Sequence, residues 1–422
     1  MSTRSGTRPR FAVVGNPENR RVALFADAVR AAGLPGPRVV SWAGVLRDEG
    51  ADFAAEEIVR IDSPGENAEV DRLLRGTSDA TRVEGSARWY AGFTAALRTL
   101  RGGVRLDDVD DLAVLFDKRR CHGVLRAAGV PVPASPTSGP DGARVRGWDD
   151  VRALMREHRM PRLFVKPAHG SSASGVLAVE AGGGRIRATT SVEIAADGRL
   201  HNSLKVRRYE READIADIVD ALAPDGLHLE RWLPKASQHG RVTDLRVVVV
   251  AGRATHAVVR TSRTPLTNLH LGGSRGDLDA ARQAVEAAGA RWADVLEVCE
   301  RAAACFPRTL CVGVDLLPAV GWRRAFVGEV NAFGDLLPRL TGLPGSGAEG
   351  LDTYAAQVTA ALRAHARTGP TEPPPGPTRP HSGPLEPHDP LHPHDQHDPL
   401  HPLHPLHPLH PHRTGTPRAR TR

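Results

Sequence analysis

Three oxygen-bearing side chains have a spacing that suits a divalent cation: Asp315, Glu329 and Asn331. They precede the Pro- and His-rich end of the sequence. Carboxylate and amide oxygens are the ligands that Mg²⁺ prefers, at about 2.0–2.1 Å, and water and substrate phosphates complete its shell. Glu329 and Asn331 are two residues apart, so they share one face if their segment is a β-strand. A hairpin with polar residues on its wet face is the alternative, and these residues alone leave both open.

The surrounding segment predicts the hairpin that would bring these side chains together. Apolar runs on either side of a turn-like segment near Trp322 are typical of two antiparallel strands. In the predicted register Asp315 lies opposite Glu329. Gly313 lies opposite Asn331 and would leave space beside the oxygen ligands. Directly opposed residues have Cβ atoms about 5 Å apart, which is close enough for a shared cation.

A second candidate site lies in the segment LFVKPAHGSSASGVLAVE, residues 163–180. A strand ends at Lys166, the loop Gly170–Gly175 follows, and another strand resumes at Val176. Small residues let backbone N–H groups approach phosphate oxygens closely, and Lys166 adds a point charge beside them. The spacing is not that of a Walker P-loop. A flexible hairpin loop without a ligand is the alternative.

The charge pattern narrows the class of partner. The chain has 422 residues and a net charge of +7, but its arginines are scattered and its aromatic residues make up only 4%. No stacking platform for nucleic acid is visible, and anionic small substrates explain the charge equally well. Lysine is retained only at Lys118, Lys166, Lys205 and Lys235. In so arginine-rich a chain, such positions favour a compact ammonium over a planar guanidinium.

Composition also bears on location. The length favours two or three domains. The four cysteines lack CxxC spacing and are interpreted as small buried residues, which suits a reducing compartment. No apolar run approaches the ~18 residues of a membrane span. We expect a soluble, cytoplasmic protein without a membrane partner.

The remaining segments predict the elements that position these sites. Short strands that alternate with helices over residues 11–110 predict a small α/β unit with a mostly parallel sheet. Asp117 is placed to cap a helix whose first turn holds Lys118. The segment 244–261 predicts two strands around a turn, which brings Arg246 and Arg260 toward one region.

Taken in order, these motifs resemble those of an ATP-grasp protein. They are Lys118, the Lys166 loop, ERWLP at 230–234, DLR at 244–246, Arg260, NLHLGG at 268–273, and the VGVDLL and VGEVNAFG strands of the hairpin. The order and spacing are similar to the carboxylate–amine ligase branch, such as ribosomal-protein glutamate ligases and glutathione synthetases. The resemblance implies an α/β and α+β chain. Two α+β subdomains (residues 106–366) would grip ATP, after a Rossmann-like α/β domain (1–105) and before a disordered Pro/His-rich tail (367–422).

The resemblance also implies ATP and Mg²⁺ as cofactors and a role for each matching residue. Cofactor binding would involve Lys118, Lys166, His169, Gly170, Ser171, Ser172, Gly175, Glu230, Arg231, Trp232, Leu233 and Asn268. Arg246 and Arg260 would be catalytic, because they would stabilise the transferred phosphoryl group. Asp315, Glu329 and Asn331 would hold Mg²⁺. Two departures stand out: the loop is richer in serine than in glycine, and residues 181–210 have no obvious counterpart.

The implied activity is ATP-dependent ligation, in which a carboxylate is activated as an acyl phosphate for attack by an amine. Small-molecule or peptide carboxylates and amines would be the substrates, and a homodimer is compatible with such folds. The alternatives are a catalytically silent nucleotide-binding partner or scaffold and, from charge alone, a nucleic-acid-binding protein. The intact Asp315, Glu329 and Asn331 set argues against the silent scaffold.

The tail after Arg367 yields a first prediction. It is dense in proline and histidine with a Leu-His-Pro repeat, and proline at this density excludes helices and sheet ladders. Deleting residues 368–422 should therefore leave ATP turnover within about twofold of the full chain. The measurement is ADP release by both forms under the same conditions. Loss of turnover on deletion would show that the folded part extends beyond Arg367.

Overall fold

A four-stranded parallel sheet in the order β2-β1-β3-β4 organises the N-terminal part of the chain. The computed structural model describes residues 8–77, 79, 81–170, 173–334 and 337–367. The predicted parallel sheet is confirmed. Its elements are β1 (Arg10–Gly15), α1 (Arg20–Ala31), β2 (Arg38–Ser41), α2 (Trp42–Arg47), β3 (Ala51–Ile61), α3 (Ala68–Arg75), α4 (Ser86–Arg98) and β4 (Leu100–Arg105).

The middle part builds a five-stranded antiparallel sheet in the order β8-β7-β6-β5-β9, here called the middle sheet. Its elements are α5 (Val109–Leu115), α6 (Lys118–Ala127), α7 (Trp148–Glu157), β5 (Arg162–Pro167), β6 (Leu177–Gly182), β7 (Arg185–Ile194), β8 (Leu200–Tyr209), α8 (Glu212–Leu222) and β9 (Leu227–Arg231). Strand alternation sends Leu163 and Val165 into the core with α7 and α8. Phe164 and Lys166 consequently point to the other face.

The C-terminal part forms a second antiparallel sheet in the order β13-β12-β11-β14-β15, here called the C-terminal sheet, and β10 pairs with β11. Its elements are β10 (Ser237–Gln238), β11 (Arg241–Val250), β12 (Arg253–Ser262), β13 (Ser274–Arg275), α9 (Leu278–Ala287), α10 (Trp292–Ala304), β14 (Cys311–Pro318), β15 (Ala325–Ala332) and α11 (Thr353–Arg367). Leu245, Val247 and Val249 pack in the core that α9 and α10 cover. Alternation therefore places Asp244 and Arg246 on the opposite face.

The last helix returns to the N-terminal sheet. Tyr354 and Val358 of α11 pack in one apolar cluster with Phe11 of β1 and Phe25 of α1. The two ends of the described chain thus share a core. The proposed domain boundaries at 105 and 366 stay predictions, and the Pro/His-rich tail lies outside the described residues. Among the helices that the structure describes, none combines the length and apolarity that crossing a membrane would require.

A buried charge cluster lies where β3 ends. Arg60 Nη1 is 2.5 Å from Asp62 Oδ2, and its guanidinium lies over the rings of Phe25 and Tyr354. Asp107 Oδ2 accepts a hydrogen bond from the Ile61 N–H at 3.1 Å. Because burial disfavours its charge more than Arg60 favours it, the pKa of Asp107 rises to about 7.

This cluster predicts a pH-dependent stability. A raised carboxyl pKa means that the folded state holds the proton more tightly than the unfolded chain, so stability falls as pH rises from about 4 through 7. Asn cannot ionise, and its carbonyl oxygen can still accept from Ile61. Asp107→Asn should therefore be more stable than the wild type at pH 8 by at least about 1 kcal/mol, with the gain lost near pH 4.

Urea unfolding at pH 4, 6 and 8 measures this difference. Asp27→Asn is the matched control, since the Asp27 side chain is 71% exposed and pairs with Arg30 at the surface. A gain for Asp107→Asn that is equal at all three pH values would contradict the assignment.

Candidate active site

A row of charged side chains crosses the face of the C-terminal sheet that the helices leave open. Arg246 lies opposite Asp315 on β11 and β14, and Asp315 lies opposite Glu329 on β15. Asn331 lies opposite Gly313 in an adjacent row. The hairpin and the register predicted from the sequence are therefore confirmed. The three proposed cation ligands share one face of one sheet.

A one-residue bulge in β15 permits this arrangement. Asp315 pairs with Glu329, but the next residue, Leu316, pairs with Val327, which leaves Gly328 as the extra residue. Val327 packs in the helix-side core. In an unbroken strand, Glu329 would point to the same side as Val327. The bulge turns Glu329 to the open face, and bulges recur beside functional sites for this reason.

The space predicted beside Gly313 is not there. A Cβ atom at Gly313 would lie 2.8 Å from the Gly334 carbonyl oxygen and 3.3 Å from Arg246 Cδ. The expectation of a vacant space was wrong, because the chain after the hairpin returns to fill it. Asn331 Nδ2 donates to the Gly313 carbonyl at 3.3 Å. This bond uses the amide nitrogen, so Oδ1 is the atom that a cation would take.

Asp315 is held between two guanidinium groups. Arg246 Nε and Nη2 lie 2.6 and 3.2 Å from its two carboxylate oxygens, and Arg260 Nη2 lies 2.8 Å from Oδ1. Arg260 Nε also donates to Asp244 Oδ1 at 2.7 Å. Burial pushes the pKa of Asp315 up, but the two arginines outweigh burial and hold it at about 2. Asp315 is therefore ionised at neutral pH.

Lys166 reaches this row from the middle sheet. Its Nζ lies 2.6 Å from Glu230 Oε2 on the neighbouring strand β9 and 3.4 Å from the carbonyl of Gly328 on β15. Burial opposes the charge, but Glu230 and Glu329 prevail and raise the pKa of Lys166. The two sheets thus face each other with a lysine ammonium between them, and we call the space they border the cleft.

Lys118 is the second ammonium in the cleft. It begins α6, where the Asp117 side chain accepts from the N–H groups of Arg119 and Arg120 at 3.0 and 3.2 Å, which confirms the predicted cap. Lys118 Nζ donates to the Gly170 carbonyl and lies 3.0 Å from Glu329 Oε1. A small pocket borders Lys118, Glu230 and Glu329. Lys118 therefore joins the start of the small-residue loop to the C-terminal sheet.

The small-residue loop is described only in part. Ser171 and Ser172 lie outside the described residues. Gly175 has φ +71°, and a Cβ there would lie 2.6 Å from Pro167 Cγ, so glycine is required at this position. His169 is buried: its Nδ1 lies 3.1 Å from the Phe116 carbonyl and its ring stacks on Tyr90 with centroids 3.9 Å apart. These contacts direct the His169 ring toward α4 and α5.

The predicted adenine-edge segment is Arg231, Trp232 and Leu233. The Arg231 N–H donates to the Ala134 carbonyl at 2.8 Å, and the Trp232 N–H donates to the Arg162 carbonyl at 3.1 Å. Both of these N–H groups are thus engaged within the protein. A backbone N–H contact to an adenine ring would fall to Leu233.

Asn268 lies at the start of a 3₁₀ turn, Leu269–Leu271. Leu266 and Leu271 of this loop pack against Val176 of the middle part, with Val206 of β8 alongside. Residues 203–206 bulge out of β8, since Thr190 pairs with Arg207 and Val192 pairs with Asn202. An apolar contact therefore joins the two sheets beside Asn268.

Sequence reasoning assigned no role to Lys235, which the structure brings to the same cluster. Its Nζ lies 3.7 Å from Asp244 Oδ2, and its side chain is 7% exposed. Burial lowers the pKa of Lys235, although Asp244 opposes the shift. The scarcity of lysine in the sequence could have indicated that Lys235 belongs to the site. Lys118, Lys166 and Lys235 all lie in this cluster, whereas Lys205 is exposed on β8.

The assembled site balances five cations against four carboxylates. The members are Lys118, Lys166, Lys235, Arg246 and Arg260, with Glu230, Asp244, Asp315 and Glu329. Two carboxylates and one amide oxygen on a single face suit a hard divalent cation. Lysine and arginine side chains around them suit a phosphate chain. The donor chemistry therefore fits Mg²⁺ together with a polyphosphate.

Comparisons with known proteins place the fold. No protein-family model matches the sequence, and no curated protein sequence matches it. D-cycloserine synthetase DcsG superposes with a TM-score of 0.50 at 18% identity, over 84% of this chain and 99% of that one. ATP-grasp ligase PsnB, solved with a minimal precursor, Mg and ADP, gives 0.46 at 17% identity, over 85% and 98%. The D-alanine-D-alanine ligase from Coxiella burnetii gives 0.45 at 14%, over 85% and 96%.

The match to DcsG extends over nearly all of that chain and over 84% of this one. The order of the motifs along the chain agrees with this architecture. The protein has the ATP-grasp fold, as its sequence predicted.

Proposed function

We propose that this protein is an ATP-dependent ligase that activates a carboxylate as an acyl phosphate and joins it to an amine. One observation carries the proposal: Lys118 and Lys166 from the middle part meet the acidic row of the C-terminal sheet, with Lys118 Nζ 3.0 Å from Glu329. Ammonium groups on one side and carboxylates on the other are what a magnesium-bound triphosphate requires.

The proposed metal ligands are Asp315, Glu329 and Asn331. Bound there, Mg²⁺ would neutralise phosphate charge and orient the transferred group. Asp315 already carries its charge at neutral pH, because Arg246 and Arg260 hold its pKa at about 2. No proton has to leave before it can act as a ligand. Glu329, whose side chain is 29% exposed, would exchange Lys118 for the cation.

The phosphate chain would lie against Lys118, Lys166 and Lys235. Lys166 remains an ammonium because Glu230 and Glu329 raise its pKa despite burial. Burial lowers the pKa of Lys235, and a phosphate nearby would favour its charged form. Arg246 and Arg260 would turn from Asp315 toward the transferred phosphoryl group, where planar guanidinium groups bind oxygen pairs well.

The reaction then proceeds in two displacements. A carboxylate oxygen attacks the γ-phosphorus, the bond to the bridging oxygen breaks, and ADP leaves. The amine nitrogen attacks the acyl carbon, the carbon–oxygen bond breaks, inorganic phosphate leaves, and the nitrogen loses a proton. Phosphoryl transfer needs positioning and charge neutralisation more than a protein nucleophile. The lysines and arginines of the cleft supply both through preorganised contacts.

Water exclusion would depend on the loops over the cleft. An acyl phosphate hydrolyses unless water is kept away. The start of the small-residue loop is tied to Lys118 through the Gly170 carbonyl. Leu266 and Leu271 close a second side by apolar packing against Val176. Residues 203–206 of β8 border this closure, and we propose that they shape the acceptor pocket.

A prediction follows for the proposed cation ligands. Glu329→Ala should reduce ADP release by about 10²–10³, because one preorganised charge contact in the cleft is lost. Asp315→Asn should act similarly. Both substitutions remove the carboxylate, but asparagine keeps the shape of the side chain and one acceptor oxygen for Arg246 and Arg260, which alanine would not.

Glu297→Ala is the matched control, because Glu297 is exposed on α10. Circular dichroism and thermal unfolding confirm that each variant is folded. ADP release by Glu329→Ala at the rate of the wild type would refute the metal assignment.

The reaction class itself is tested by a substrate screen. The purified protein with ATP and Mg²⁺ should release ADP only when a suitable carboxylate is present, and mass spectrometry should detect a condensed product when an amine is added. Replacing the amine with hydroxylamine should trap the acyl phosphate as a hydroxamate. ATP binding without ADP release across a broad panel would favour the silent-scaffold alternative.

A further inference from the structure

A series of buried hydrogen bonds leads from Thr137 to Lys166. It starts at Thr137, whose hydroxyl oxygen lies 3.0 Å from His228 Nδ1. His228 Nε2 lies 3.0 Å from Glu230 Oε1, and Glu230 Oε2 lies 2.6 Å from Lys166 Nζ. Thr137, His228 and Glu230 are 1%, 0% and 3% exposed. Solvent therefore cannot supply alternative partners to these groups.

The donors and acceptors of these hydrogen bonds favour one arrangement of protons. The Glu230 carboxylate only accepts, so His228 Nε2 must carry a proton and donate it. Burial lowers the pKa of His228, although Glu230 opposes this, and the ring is neutral with Nδ1 as an acceptor. The Thr137 hydroxyl accepts from the Leu229 N–H at 2.9 Å, and its own proton has two acceptors within reach, His228 Nδ1 at 3.0 Å and Ser135 Oγ at 3.3 Å. The shorter contact favours donation to Nδ1, which completes the series of hydrogen bonds.

The same region could be mistaken for a metal site. Ligand atoms of His122, His228 and Glu230 lie within 4.8 Å of one another. However, His122 Nε2 lies 2.8 Å from the Pro133 carbonyl, which only accepts, and His122 Nδ1 lies 2.7 Å from the Ser138 hydroxyl. Both nitrogens of both rings are therefore engaged in hydrogen bonds. The hydrogen bonds of the cluster account for all four ring nitrogens without a metal.

The last hydrogen bond of this series, from Lys166 to Glu230, determines where the Lys166 ammonium points. An ammonium has three N–H groups. Glu230 Oε2 takes one, and the Gly328 carbonyl, 3.4 Å away on the opposite sheet, lies in the direction of another. With two directions set by protein acceptors, the third is set by geometry. Were Glu230 free to rotate, both of its oxygens could draw Lys166 back toward β9.

We propose that Thr137 and His228 are positioning residues that lock Glu230 in one orientation and thereby aim the Lys166 ammonium into the cleft. Neither residue touches the proposed ligand. The inference rests on the proposed function, in which Lys166 binds the phosphates of ATP. It adds two residues that no motif in the sequence marks, and it gives Glu230 the role of an orienting carboxylate.

Paired variants test this arrangement by calorimetric titration of ATP with Mg²⁺ and, separately, of adenosine. Thr137→Val removes the hydroxyl at nearly constant volume, and His228→Phe removes both ring nitrogens. Each should weaken ATP binding about tenfold, as loss of an outer orienting partner commonly does, with adenosine binding unchanged. Thr137→Ser and His228→Gln keep the hydroxyl and the donor to Glu230. They should stay within about threefold of the wild type.

The possible outcomes separate the two proposals. Wild-type ATP affinity in both Thr137→Val and His228→Phe would overturn the positioning role while leaving the ligase proposal standing. Equal losses for ATP and adenosine would also overturn it, because they would indicate a general change of the pocket. If His228→Phe does not fold, Thr137→Val decides alone. A wild-type protein that binds no ATP would overturn the proposed function, and the positioning role would fall with it.

Discussion

Charge pairing in a buried space is the constraint on which the rest of the cleft depends. The carboxylate of Asp315 pairs with two arginines from two different strands, and all three side chains are less than 15% exposed. Removing one partner from such a group leaves a buried charge without compensation, which costs several kcal/mol. The sheet therefore has to keep β11, β12 and β14 in one register. This register is fixed because every second residue of these strands is apolar and packs under the helices.

The same constraint explains how the two sheets can be held together without a ligand. Lys118 at the start of α6 contacts Glu329, and Lys166 on the middle sheet contacts the Gly328 carbonyl, so ammonium groups from the middle part satisfy acceptors on the C-terminal sheet. An incoming phosphate chain with its cation offers the same two kinds of charge. The lysine and carboxylate groups could then exchange each other for the phosphate and the cation. The cost of removing these charged groups from water is already met in the folded protein. Such a site is preorganised for a ligand that carries both signs of charge.

The sequence predicted features that local rules determine. Two apolar runs around a turn were enough for the hairpin and for the register of Asp315 and Glu329. A capping aspartate was enough for the start of α6. The proposed roles of these residues stay predictions, since side-chain geometry alone does not test them.

Features made by contacts distant in sequence could not be predicted in this way. The space beside Gly313 is filled by Gly334, and the ring of His169 stacks on Tyr90, a residue from another part of the chain. Lys235 follows a proline in a segment without periodicity, so no pattern placed it near Asp244. In each case the partner is supplied by tertiary packing, which single-sequence periodicity does not encode.

The extra residue at Gly328 has a consequence for how this protein can change. It shifts the phase of β15, so that Val327 before it and Val330 after it both pack in the core under α10, while Glu329 and Asn331 face the cleft. The two halves of one strand are thereby released from a common alternation. Apolar substitutions in the first half need not disturb the acidic half. Straightening β15 with Gly328 retained would turn Glu329 and Asn331 together toward the hydrophobic core, whereas deleting Gly328 would make Leu316–Val327 and Asp315–Glu329 successive pairs of a regular ladder and keep both faces as they are.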